Sequence, residues 1–327
     1  MSISSSPFTA TARPEPDGHL RVADASFEQR LIEAIRPISE HFLAVGIHHL
    51  LDTGLHDRLV DAPDGVGIHA LAELQTMDEH RLRGFLLYLA NEGIVQVERD
   101  QVRLTPKGAQ YGEFRAWYTM MIGGYTSTLE QMGGALALGA PSCSRDGRYV
   151  GLGSCGISQY DGMPITRHLL AKAGVRPREV LDLGCGNGLY LVEFCREMPG
   201  IRAWGAEPDE GGYQEGARLV ETAGMGDRVQ LVNASATGFL ASPPPACDPD
   251  LIVFGFVLHE VLAQEGEEAV VALLGGVVER FPRINVVVIE VANQIDNSSV
   301  MRHGLATNFW NPYFLVHYFT RQQLERR

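Results

Sequence analysis

Val180-Leu181-Asp182-Leu183-Gly184-Cys185-Gly186-Asn187-Gly188 reads as the end of a buried strand running into a glycine turn. Gly184, Gly186 and Gly188 alternate, so the backbone turns tightly and approaches a ligand with no Cβ in the way. Leu189, Leu191, Val192 and Phe194 follow at helical spacing. Strand, glycine turn and helix together place a nucleotide-like ligand over the carboxyl end of a parallel sheet. A second acid, Glu207, closes the next strand-like run over 201–206. A carboxylate there can accept both ribose hydroxyls of a nucleoside.

Outward from this turn the pattern stays α/β over residues 176–327. Strands are expected at 179–183, 202–206, 229–233, 251–256 and 285–291, with helices including 212–223 and 267–281 between them. Five such strands with crossovers make a doubly wound parallel sheet. Residues 26–112 read as a separate, mostly helical domain. Phe27, Leu31, Ile32, Ile35 and Ile38 repeat at helical spacing, and 41–51 reads as a second helix ending near Thr53-Gly54. Asp78 caps a helix whose Leu82, Phe85, Leu86 and Leu89 point inward. The alternation at 94–98 and 101–105 around Arg99-Asp100 is that of a hairpin. Helix, helix, hairpin is a winged helix. Residues 113–175 read as linker helices and a substrate roof, with Trp117, Tyr118, Met120, Met121 and Tyr125 on one face and a glycine-rich loop over 142–161. Residues 1–25, rich in Ser, Pro and Thr, read as a disordered tail.

The bulk properties exclude several classes. The 327 residues carry a net charge of −13, and the candidate recognition helix mixes Arg81 and Arg83 with Asp78, Glu79 and Glu92. That is no phosphate-neutralising face, so nucleic acid is not the expected partner. No apolar run spans a bilayer and no signal-peptide pattern opens the chain, so no membrane partner is expected. The cysteines are odd in number (Cys143, Cys155, Cys185, Cys195 and Cys247) and none has C-x-x-C spacing. A reduced, cytoplasmic protein fits that usage.

The run D-x-G-x-G-x-G, with its acid two residues before the first glycine, resembles motif I of the class I S-adenosylmethionine (SAM)-dependent methyltransferases. The resemblance implies a Rossmann-like fold with SAM against Asp182, Gly184, Gly186 and Gly188. It implies the ribose on Glu207 and Pro208, the adenine at Ala234 and Ser235, and Phe254 and Phe256 along the far side. The winged helix is similar to the dimerisation domain of small-molecule methyltransferases, which implies a homodimer. The family normally adds an antiparallel hairpin after its last helix. The sequence stops at Arg327, just inside that helix, so either the hairpin is missing or the sequence is truncated there, and truncation is the expectation because a bare sheet edge would expose apolar surface.

His259, Glu290 and His317 fall beyond the carboxyl ends of strands, where open sheets bind ligands. Two imidazoles and a carboxylate can hold a transition metal with positions left open for substrate. The same residues also read as a general base, His259, oriented by Glu290, with His317 an ordinary core histidine. Four segments resemble the α-keto acid C-methyltransferases: Leu258-His259-Glu260, Ile289-Glu290-Val291-Ala292-Asn293, Asn308-Phe309-Trp310-Asn311-Pro312 with His317 beyond, and Leu31-Ile32-Glu33-Ala34-Ile35-Arg36-Pro37 followed by His41-Phe42-Leu43. The resemblance implies methylation of the β-carbon of a 2-oxo acid such as 2-ketoarginine, 4-methyl-2-oxovalerate or phenylpyruvate. It implies a metal ion, zinc or iron, on His259, Glu290 and His317, with His303 an alternative third ligand, and an enolate stabilised by that ion. Tyr160 and His168 are candidates for the base. Asp161 and Glu130 are candidates to meet a cationic side chain. The alternative is a metal-independent small-molecule O-methyltransferase with His259 as base.

Overall fold

The computed structural model describes residues 13–14, 20–21 and 25–320. The expected tail lies outside these residues except for its two short pairs and Ala25, and so does the stretch 321–327. The chain divides into two compact units, Met1–Ala109 and Gln110–Arg327.

In the first unit one helix, Ala25–Asp52, replaces the two that were expected, and Pro37 lies inside it. Proline removes a single intrahelical bond and bends a helix without ending it when the flanking residues keep helical spacing. The second half of that helix is anchored by buried Ile47, Leu50 and Leu51. The helices Ile68–Gln75 and Glu79–Asn91 follow, the latter capped by Asp78, whose carboxylate accepts the Arg81 N–H at 2.8 Å. Three short strands, β1 (Val66–Gly67), β2 (Val95–Glu98) and β3 (Gln101–Leu104), form an antiparallel sheet with β3 in the middle. Arg99 and Asp100 both have positive φ, 47° and 75°, the signature of a two-residue I′ turn. The helix–helix–hairpin order expected from the sequence is present.

The second unit is built on five parallel strands: β4 (Glu179–Leu183), β5 (Arg202–Glu207), β6 (Val229–Asn233), β7 (Leu251–Gly255) and β8 (Asn285–Ile289). Their spatial order is β8-β7-β4-β5-β6. The chain winds from β4 outward to β6, then returns to the other side of β4 to lay down β7 and β8. The reversal sits beside β4, and the crevice above such a switch point is where doubly wound sheets bind ligands. Both faces of the sheet are buried, as parallel sheets require. Val180, Ala203 and Val253 pack on one side with Leu191 and Phe194, and Leu181, Leu183, Ile252 and Phe254 pack on the other with Phe239 and Val277. β8 is one edge of the described sheet and exposes Val286 and Val288.

The glycine-rich stretch expected to be a loop holds a helix, Gly147–Ser158. Asp146 caps it by accepting the N–H groups of Arg148 and Tyr149 at 3.0 and 3.2 Å. Two of its glycines serve close packing and not a turn. A Cβ on Gly153 would lie 2.4 Å from Met120 Cβ, and one on Gly156 would lie 2.7 Å from Ala116 Cβ. There are π-helical turns at Thr119–Gly123 and Ala306–Trp310, the second carrying Phe309 and Trp310. Such turns recur near functional sites because they re-aim side chains.

Candidate active site

The three glycines of the turn after β4 all have positive φ: 94° at Gly184, 55° at Gly186 and 67° at Gly188. Residues with a Cβ rarely adopt this backbone, so their spacing in the sequence is a backbone requirement. The turn is tied to β5, where the N–H groups of Gly184 and Cys185 donate to Ala206 O at 2.8 and 3.1 Å. Glu207 closes it from the end of β5. One carboxylate oxygen accepts the Gly186 N–H at 2.8 Å and the other the Asp209 N–H at 2.9 Å. Asp182, opposite Gly205 and Val253 in the sheet, is buried below the turn. Burial, and then the nearby Glu207, push the Asp182 carboxyl up to about 7. Burial likewise raises Glu207. Two desolvated carboxylates sharing one crevice are a place for a cation.

Asp182, Gly184, Gly255 and Phe256 line a hollow of about 40 Å³, roofed by Ser154, Cys155 and Ser158. A ligand of drug size fills about 300 Å³ or more. In this conformation the Gly147–Ser158 helix therefore lies down over the turn. The Cys155 thiol is pushed up to about 12 by burial and stays protonated there. All five cysteines are free.

The remaining expected donor contacts divide. Ser235 uses its hydroxyl to cap the Ala236–Ala241 helix, accepting the Gly238 N–H at 3.1 Å. Ala234 donates its N–H to Glu207 O at 3.1 Å and packs against the lower apolar cluster. The Pro208 carbonyl accepts from the Asn233 side-chain amide at 3.4 Å. Phe254 is wholly buried in the core below the sheet and lines no hollow described above the strands, contrary to expectation. The alternation of β7 sends it to the opposite side. Phe256 takes that place. Its φ of +60° is the left-handed conformation that a bulky side chain adopts only when the surroundings enforce it. Its N–H donates to Ile289 O at 2.9 Å, and its ring stands between the small hollow and a larger one.

That larger hollow, about 310 Å³, is bounded by Phe256, Glu290, Trp310 and Phe314, with Asp161 and Gln294 adding polar groups. Neither Tyr160 nor His168 lines it. The Tyr160 hydroxyl instead donates to Glu113 O at 3.0 Å, and His168 is exposed on its helix. Glu130 is exposed as well.

The three residues expected to share chemistry are brought together, Glu290 against His259 and His259 beside His317. Glu290 belongs to His259. Its Oε2 lies 2.7 Å from His259 Nδ1, and its Oε1 accepts the N–H groups of Leu258 and His259 at 2.8 and 3.2 Å. In this arrangement both oxygens are engaged, and Glu290 orients the His259 imidazole. His317, on the Asn311–Phe319 helix, has Nδ1 2.6 Å from Tyr313 O. A carbonyl only accepts, so Nδ1 carries the proton and Nε2 the lone pair. Burial pulls this imidazole down to about 4, so it is neutral. Its Nε2 is buried with no hydrogen-bond partner, and the His259 and His317 rings lie 6.2 Å apart between centroids. Among the described residues no three His, Cys, Asp or Glu side chains form a metal-ligand group. The donor set that remains is a pair of imidazole Nε2 atoms, one of them orphaned in the interior. That pair fits a cation completed by ligand oxygens. His303 is exposed and directs Nδ1 to the Leu305 N–H at 3.3 Å.

Sequence reading missed Arg145. It reaches from ahead of the Gly147–Ser158 helix to Glu260, Nη2 to Oε1 2.8 Å, and lies against the Tyr125 hydroxyl. The residue sits in the stretch read as a loop, and only tertiary contact shows what it meets.

No family model matches the chain. The chain is 40% identical over 309 residues, 92% of its length and 86% of the other, to a 2-ketoarginine methyltransferase of Streptomyces arginensis. It is 28% identical over 222 residues, 64% of its length and 61% of the other, to an indolepyruvate C-methyltransferase of Streptomyces griseus. Among solved structures it is similar to an O-methyltransferase family protein from Burkholderia thailandensis, with a TM-score of 0.54 at 15% identity, covering 89% of this chain and 87% of that one. It is also similar to human N-acetylserotonin methyltransferase in complex with SAM, with a TM-score of 0.51 at 15% identity over 89% and 86% of the two chains. The solved structures share the fold, and the relative at 40% identity shares the family. This chain belongs to the SAM-dependent methyltransferases of class I fold, in the family of the α-keto acid C-methyltransferases.

Proposed function

We propose that the chain transfers the methyl group of SAM to the β-carbon of a 2-oxo acid, with 2-ketoarginine the first acceptor to test. The observation that carries this reading is the His259–Glu290 pair, with the orphaned His317 Nε2 in the neighbouring ring and Glu290 itself lining an acceptor-sized hollow. SAM lies over the Gly184–Gly188 turn. Asp182 receives its ammonium and Glu207 its ribose, and Phe256 stands between sulfonium and acceptor. The β C–H gives its proton to His259 Nε2 or, where that nitrogen holds a cation, to water, and the new C–C bond forms as the S–CH3 bond breaks and the sulfide leaves. Alignment of carbon, methyl and sulfur is the fold's main contribution.

His259 Nε2 and His317 Nε2 are the nitrogens that would hold a metal ion. Glu290 behind His259 raises the basicity of that ligand and fixes its ring. A bound cation would supply Lewis-acid stabilisation of the enolate oxygen. The same His259–Glu290 pair also favours a second reading, metal-free O-methylation with His259 as the base. Mass spectrometry of 2-oxo acids and phenols incubated with SAM separates the two. C-methylation that is abolished by a chelator and restored by zinc or iron supports the first. Transfer to a hydroxyl, indifferent to the chelator and to His317→Ala, establishes the second in its place.

The reading includes a homodimer through a winged-helix domain. Leu31, Ile32, Ile35, Ile38 and Phe42 are exposed along the first half of the Ala25–Asp52 helix, a stripe a second copy would cover. Sedimentation of wild type against Ile35→Glu tests it, with a shift from dimer to monomer expected.

A further inference from the structure

The acceptor hollow carries two acids and no base. Glu290 is spent on His259 and two backbone N–H groups. Asp161 is not spent. Its Oδ1 accepts the N–H of Gly162, capping the Gly162–Ala173 helix. Among the described residues no Lys, Arg or His pairs with it, so its second oxygen has no cationic partner. The hollow it lines is otherwise bounded by Ile165, Phe256, Val300 and Trp310, with Gln294 its neutral polar group. Burial has raised its carboxyl. An unpaired carboxylate half-buried among apolar walls is unfavourable in the empty protein. It becomes favourable once a cation with a flat apolar face enters, because the ring of Trp310 offers such a cation a second attraction.

We propose that Asp161 selects the acceptor, admitting a 2-oxo acid whose side chain ends in a guanidinium or ammonium group and discriminating against neutral ones. This rests on the reading of the chain as a 2-oxo acid C-methyltransferase. The carboxylate and keto oxygen lie at the His259 and His317 end. The alkyl chain runs past Phe256, and the cationic tip reaches Asp161 beside Trp310. A helix cap alone would not require a carboxylate, since asparagine caps as well as aspartate. Asp161→Asn therefore keeps the cap and removes only the charge.

The test compares wild type and Asp161→Asn on 2-ketoarginine, on its neutral ureido isostere and on 4-methyl-2-oxovalerate. Wild type is expected to prefer the guanidino acid over the ureido acid in kcat/KM by roughly 10- to 100-fold, the range of a lost charge-assisted hydrogen bond. Asp161→Asn is expected to erase that preference by slowing the guanidino acid alone. A preference that persists in the variant overturns the proposal, and so does a wild type that treats charged and neutral acids alike. Methyl transfer to no 2-oxo acid by either protein overturns the parent reading and this proposal with it. Because selectivity is read only where transfer is seen, the two failures look different.

Discussion

Glu290 holds His259 twice over, once at the ring nitrogen Nδ1 at 2.7 Å and once at the backbone N–H at 3.2 Å. The ring and the start of its own helix are thus fixed by one carboxylate at the end of the neighbouring strand. β7 and β8 are adjacent and parallel, with Ile289 opposite Gly255, which brings the residues just past both strands to one rim. Glu290→Gln keeps the shape and loses the charge. It is expected to lower kcat about 10- to 100-fold, the usual effect of removing a carboxylate behind a functional histidine. The KM for SAM should stay unchanged, because Glu290 does not line the hollow at the glycine turn. Steady-state kinetics in both substrates checks this.

Asp182 links donor binding to pH. Its folded-state pKa, raised to about 7 from 3.8, means the empty folded protein holds a proton there that the unfolded chain has lost. That contribution to stability is complete below 3.8 and disappears as pH rises through about 7. A bound ammonium favours the ionised carboxylate, so SAM binding should release a proton near about pH 6 and tighten as pH rises toward about 7. Calorimetry in two buffers of different ionisation enthalpy reads the proton directly. Equal apparent enthalpies in both buffers, or unchanged proton release in Asp182→Asn, would falsify the assignment.

His317 titrates in the opposite sense. Its folded-state pKa is depressed from 6.5 to about 4. Its contribution is therefore present above 6.5 and is lost as pH falls through about 4. Between those limits wild type should lose stability on acidification more steeply than His317→Phe, which keeps an aromatic ring and cannot titrate. Denaturant midpoints across that window supply the comparison, and parallel curves would remove His317 as the cause.

Two glycines of one helix should behave oppositely. A Cβ at Gly153 would lie 2.4 Å from Met120 Cβ and 2.6 Å from Met120 N, which is backbone and cannot swing aside. Gly153→Ala is expected to cost about 1–3 kcal/mol, the range for an overpacked contact. Gly151 has open space where its Cβ would go, so Gly151→Ala should be neutral or stabilising by up to about 1 kcal/mol. Urea midpoints at constant slope measure both.

The sequence by itself determined the glycine turn, its two acids and the five parallel strands. Each rests on interactions within one short stretch: positive φ that only glycine adopts freely, and apolar runs that only a sheet buried on both faces accommodates. The N-terminal hairpin was legible for the same reason, in Arg99-Asp100 between two alternating runs. Tertiary structure decided what those local signals leave open. Gly153 and Gly156 look like loop residues until Met120 and Ala116 arrive against them. Phe254 and Phe256 look alike until β7 buries the first and a left-handed backbone turns the second upward. Glu290 has no visible partner until the pairing of β7 with β8 brings both its oxygens to His259 and Leu258. Arg145 and Glu260 are 115 positions apart, and no periodicity links them. The physical reason is one of range. Backbone torsion and local burial are written in neighbouring residues, whereas a side chain's partner is set by whichever distant element the fold brings beside it.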